Sequence, residues 1–191
     1  VINWRTYAAD DYGVQSYGVA IADFSAQISR SESALERCGQ NNLFAVFTVE
    51  RSSDSSNDWL VIVEAGLDKE AWRVDLGNTE DVKSTPAIVD VDGDGKVEVI
   101  LAFDTSAGLT VEVWSPRLTC TDAGWQADGH LTELLWSYTD PDQQLGIGGD
   151  FSNGNHEAST QALIADLQMD GIPELILTAV DVATGNPTVL T

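Results

Sequence analysis

Short apolar runs, each bounded by polar or glycine-containing stretches, punctuate this chain and predict strands. Three of them end alike, with a small or apolar residue, an aspartate and a further apolar residue: Ala20-Ile21-Ala22-Asp23-Phe24, Ala87-Ile88-Val89-Asp90-Val91 and Leu163-Ile164-Ala165-Asp166-Leu167. After each junction comes a loop and then a β-forming run, at 43–49, 97–103 and 174–180. Polar turns at 52–58, 104–108 and 181–187 lead into a third run, at 59–65, 109–114 and 188–191.

A fourth element is marked by a tryptophan among alternating residues, in Ala71-Trp72-Arg73-Val74 and Leu135-Trp136-Ser137-Tyr138, and Ile2-Asn3-Trp4-Arg5-Thr6-Tyr7 looks like the same element from a preceding unit. These tryptophans are expected to pack rather than to bind. Four strands per unit, recurring at roughly 65 to 75 residues, predict an all-β fold of β-propeller blades, each of four antiparallel strands. A β-sandwich also spaces strands regularly, but it has no reason to repeat one Asp-bearing junction three times.

The expected organisation is a single propeller-like domain over 1–191. Residues 1–18 hold the last strand of a preceding blade and a connection, and 19–77 a blade whose loop is degenerate. A second blade spans 78–140, a long connection 141–160, and a partial blade 161–191. About three blades fall short of the four to eight of a closed propeller. The chain is therefore expected to be part of a larger propeller, or to be completed by another chain at its open edges.

The junctions at Asp90 and Asp166 open loops with metal-ligand chemistry. Asp90, Asp92, Asp94 and Glu98 stand at the first, third, fifth and ninth positions of one loop, with Gly95 at the sixth and the Lys96 carbonyl as a further oxygen. Ca²⁺ takes six to eight oxygens, and alternating side chains on a curled loop converge on such an ion. An EF-hand would need a Glu at the twelfth position and flanking helices, whereas Leu101 stands there within a β run. The second loop keeps the spacing with Asp166, Gln168, Asp170, Ile172 and Glu174, and Gln168 in place of a carboxylate predicts weaker binding. At Asp23 the Asp-Gly turn is missing and an insertion over 28–42 follows, so that site is expected to be lost.

The loops at 90–98 and 166–174 resemble those of the FG-GAP, or integrin-alpha-like, propeller repeats and related VCBS-type repeats of bacterial and archaeal surface proteins. The resemblance implies a bladed propeller with Ca²⁺ between the first two strands of a blade, outside the cell and often in adhesion or assembly. Some calcium-loop propellers are polysaccharide lyases, which makes an enzyme the alternative on fold analogy alone.

Composition narrows the partners. Nine Lys and Arg against 31 Asp and Glu give the 191 residues a formal net charge of −22, which repels nucleic acid and anionic lipid. The expected partners are a protein, a glycan or copies of the chain itself, in an extracellular or cell-surface setting. No apolar stretch reaches membrane-spanning length. The chain opens at Val1 without a charged-then-apolar leader, leaving a removed signal or a longer parent chain as alternatives. Cys38 and Cys120 form either one bridge or two buried thiols. His130 and His156 are in no zinc-type spacing, and the sequence 146–150 lacks the Lys and Ser or Thr of a phosphate loop, so no catalytic residues are assigned.

Overall fold

The computed structural model describes residues 12–13, 18–34, 38, 42–51, 58–65, 69–77, 84–105, 107–126, 133–142, 144–146, 160–171, 173–181, 184 and 186–190. Its strands are β1 (Tyr12–Gly13), β2 (Ala20–Asp23), β3 (Ile28–Arg30), β4 (Leu43–Arg51), β5 (Asp58–Glu64), β6 (Lys69–Gly77), β7 (Ser84–Thr85), β8 (Ala87–Val89) and β9 (Glu98–Thr105). They continue with β10 (Gly108–Ser115), β11 (Leu118–Thr121), β12 (Gly124–Trp125), β13 (Glu133–Thr139), β14 (Leu145–Gly146), β15 (Thr160–Gln161), β16 (Leu163–Ala165), β17 (Glu174–Asp181) and β18 (Pro187–Leu190).

The fold is all-β, and its body is three antiparallel sheets. The first pairs β2, β4, β5 and β6 in that order, the second β8, β9, β10 and β13, and the third β16, β17 and β18. Each sheet is an antiparallel meander, interrupted by β3 between β2 and β4 of the first and by β11 and β12 between β10 and β13 of the second. The runs expected from the sequence are these strands, and the elements marked by Trp72 and Trp136 are β6 and β13. The element expected at 2–7 lies outside the described residues.

The sheets pack in series. On β9, Val99, Leu101 and Phe103 join a core with Phe44, Val46, Leu60, Ile62 and Trp72 of the first sheet. Ile100 and Ala102, on the other face of the same strand, join Leu177 and Ala179 of the third. Successive side chains of a strand point to opposite faces, so a strand covered on both sides reads as an unbroken apolar run, and Val99 to Phe103 is such a run. Trp72 is 1% exposed, as expected of a packing residue, whereas its counterpart Trp136 is 50% exposed and stacks on Tyr138, with ring centroids 6.3 Å apart.

Three features were not anticipated. The first strand is doubled in two sheets: β1 and β2 both pair with β4, and β14 and β16 both pair with β17. β14 falls within the stretch expected to be a plain connection, and the buried Asp140 holds the turn before it by accepting from the Gln144 and Leu145 amides at 2.7 and 2.8 Å. β7 and β15 pair in parallel, Ser84 opposite Thr160.

The third feature is a joint substructure built by two insertions. β3 pairs in parallel with β11, which turns back into β12, and the Cys38–Cys120 disulfide, with Cα atoms 6.3 Å apart, closes the unit. The bridge resolves the alternatives left open by the sequence. Trp125 seats the hairpin on the first sheet, its ring edge-on to Phe44 at 5.6 Å and the Arg30 guanidinium over it at 5.3 Å. Among the described residues no helix is long and apolar enough to cross a membrane.

Glu64 lies beneath Trp125, fully buried, and one carboxylate oxygen accepts from the indole N–H at 2.8 Å while the other has no partner. Burial pushes its carboxyl above the usual range, and the Trp125 hydrogen bond and the charges of Arg30 and Lys69 offset this only in part. The folded chain thus holds this proton more tightly than the unfolded chain. The stability it contributes is present at acid pH and is lost as pH rises from the ordinary value through the raised one. Glu64→Gln keeps an acceptor for Trp125 without the charge, so at pH 7 it should melt higher than the parent chain, with the difference vanishing near pH 4 in a pH series of melting curves.

Candidate metal centre

The loop 90–98 joins β8 to β9, and the loop 166–174 joins β16 to β17. Their flanking registers agree: Val89 lies opposite Glu98, and Ala165 opposite Glu174. Each Asp at the first loop position is therefore held one residue beyond a strand pair that ends on the Glu at the ninth.

Within the loops the backbones agree too. The fourth position is left-handed in both, at Gly93 with φ 76° and at Met169 with φ 56°, and so is the sixth, at Gly95 with φ 82° and Gly171 with φ 85°. Glycine enters this region without steric cost, whereas methionine does so only when the surrounding loop imposes it. Main-chain amides fold onto the carboxylates, two of them from matching positions in the two loops. Gly95 donates to Asp90 and Gly171 to Asp166, both at 2.9 Å. Val91 donates to Glu98 at 2.9 Å and Leu167 to Glu174 at 2.6 Å. Gly93 adds a second amide to Asp90 at 2.7 Å, and Asp170 a second to Asp166 at 3.0 Å.

This curl brings carboxylates together. One oxygen from each of Asp90, Asp92 and Glu98 lies within 4.8 Å of the others, and the same holds for Asp166, Asp170 and Glu174. Oxygens around one Ca²⁺, each at about 2.3 to 2.6 Å, are at most about 5 Å apart, so both groups have the span of one coordination shell. Glu98 is 1% exposed, and its carboxyl is pushed above the ordinary range by burial first, against the Val91 amide, and then by the charges of Asp92, Asp94 and Asp90. Without a cation these charges oppose one another; a divalent ion reverses the sign of the interaction.

The remaining expected ligands lie differently. Asp94 is outside the first group: it accepts from the Lys96 amide at 2.8 Å and pairs with the Lys96 ammonium, whose hydrogen bond holds its carboxyl below the usual range. Gln168 is exposed on its loop, and Ile172 lies outside the described residues, as do His130 and His156. Asp23 accepts from the Ser25 amide at 2.7 Å, and the chain then turns through Ser25–Gln27 into β3.

Two residues near the first loop were missed. Ser115 donates to the second oxygen of Glu98 at 3.4 Å. Gln27, 7% exposed, accepts from the Val97 amide at 3.0 Å and donates to the Val97 and Pro116 carbonyls at 2.8 and 2.9 Å. A signal for Gln27 was present, since it stands fifth from Asp23 as Asp94 stands fifth from Asp90. No family model matches the chain, and no curated protein or solved structure matches it at a significant level.

Proposed function

We propose that this chain is a calcium-binding module of propeller blades that works outside the cell, where it contributes to structure, adhesion or self-assembly. The observation that carries the proposal is the likeness of the two loops: the same strand register, the same left-handed positions and the same carboxylate span recur in different sheets. Chance acidic turns have no cause to agree in all three. The serial stacking of meander sheets supports the blade reading, and a disulfide is compatible with an oxidising exterior. Calcium in each loop would stiffen the turn between two strands, so that the sheets present loops and edges to a protein, a glycan or another copy.

The test is calcium titration of the metal-free chain by calorimetry, with melting curves in calcium and in chelator. Two binding events are expected, the tighter at loop 90–98, whose group holds the buried Glu98, and melting should rise with calcium by mass action. Absence of binding heat together with superimposable melting curves would rule the calcium role out.

A further inference from the structure

We propose that Gln27 is a positioning residue for the loop 90–98, so that the turn following Asp23 sets the calcium affinity of the neighbouring sheet. The inference rests on the calcium reading of that loop and goes beyond it by assigning control of the site to a residue of another unit.

The Gln27 amide occupies both main-chain groups of Val97, the residue immediately before Glu98, in the way a neighbouring strand would. Its third hydrogen bond reaches Pro116, next to the Ser115 hydroxyl that donates to Glu98. The two segments that bracket the Glu98 side chain are therefore tied to one buried amide. Glu98 is the most enclosed carboxylate of its group, and its approach to an ion depends on where Val97 is held. Removal of the amide leaves the Val97 N–H and two carbonyls unpaired in a part-buried place, which favours their turning to water and the loop opening with them.

Among the described residues the second loop has no counterpart to this contact. Its eighth position, matching Val97, is Pro173, which has no N–H to donate and whose ring fixes φ. The fifth position of the first metal loop, matching Gln27, is Asp94, which is engaged with Lys96. The unit that lost the Asp-Gly turn thus supplies a clamp to the next loop, and only to that one among the described residues.

Calorimetric calcium titrations on two backgrounds separate the sites: Asp166→Asn leaves the loop 90–98 to report, and Asp90→Asn leaves the loop 166–174. Gln27→Ala is expected to raise the dissociation constant about tenfold on the first background, as loss of an outer-shell partner does, and to leave it unchanged on the second. Gln27→Met fills the same space without the amide and gives the same readout where the alanine variant does not fold. An unchanged constant on the first background, or equal weakening on both, overturns the positioning role. Failure of the unsubstituted chain to bind calcium at all is a different result, and it removes the metal site and the clamp together.

Discussion

Asp90→Ala should remove more calcium-linked stability than substitution of Asp94, although the two stand in the same loop and both fit the expected ligand spacing. Asp90 accepts from the Gly93 and Gly95 amides and shares an oxygen group with Asp92 and Glu98, so its loss both opens the curl and takes a charge from the shell. With calcium at a hundred times its dissociation constant, binding to the folded state contributes about 2.7 kcal/mol. Loss of that contribution should lower Tm by roughly 5 to 11 °C for a chain of this size. In chelator the variant and parent should differ much less, by the two hydrogen bonds alone. Asp94→Ala leaves the oxygen group intact and frees Lys96, and its calcium-dependent shift should be the smaller one. Equal shifts for the two variants would show that the ion is held by all four carboxylates and not by the three that the fold brings together.

Removing the disulfide should be a costly change outside the loops. Cys38 and Cys120 are separated by 82 residues in sequence, and closing a loop of that size restricts the unfolded chain by about 4.5 kcal/mol on the chain-entropy account. The bridge also pins the joint substructure, since Cys38, Cys120 and Ala34 form a small buried cluster with Trp125 against it. The double variant Cys38→Ala/Cys120→Ala fills most of that cluster, so its effect reads the cross-link more than a cavity. Urea denaturation should show a stability lower by about 3 to 4 kcal/mol at an altered slope, because the unfolded state becomes less compact. A loss below about 1 kcal/mol would mean that β3 and β11 hold the insertions together without the bridge.

The strands of the three sheets were legible because each carries a local pattern. Val99 to Phe103 is an unbroken apolar run between an acidic loop and a polar turn, and Trp72 and Trp136 mark the fourth strands by alternation. The acidic loops were legible because their carboxylates recur at close, regular spacing, a pattern visible at short range, and the fold brings three oxygens together in each. What stayed hidden was long-range. Ile28-Ser29-Arg30 is too short to show a period, and its partner at Leu118 to Cys120 is distant in sequence and parallel, so no turn residue announces the pair. Of the doubled first strands, β2 and β16 lie in the Asp-bearing runs, whereas β1 and β14 are two residues each, below the length at which alternation is distinct. Spacing grouped Asp94 with the expected ligands, and nothing in that spacing announced its pairing with the Lys96 ammonium two residues along. Gln27 carries no motif at all, and only its place in the repeat, beside a missing turn, hinted at its role.

The two-faced strand β9 decides how the molecule comes apart. Because Val99, Leu101 and Phe103 serve one neighbour and Ile100 and Ala102 the other, neither outer sheet can leave without baring one face of the strand on which the other outer sheet packs. Coupling of this nearest-neighbour kind makes loss of one layer a loss for the next. Heat should therefore dissolve the row of sheets in a single cooperative event rather than peel it from one end.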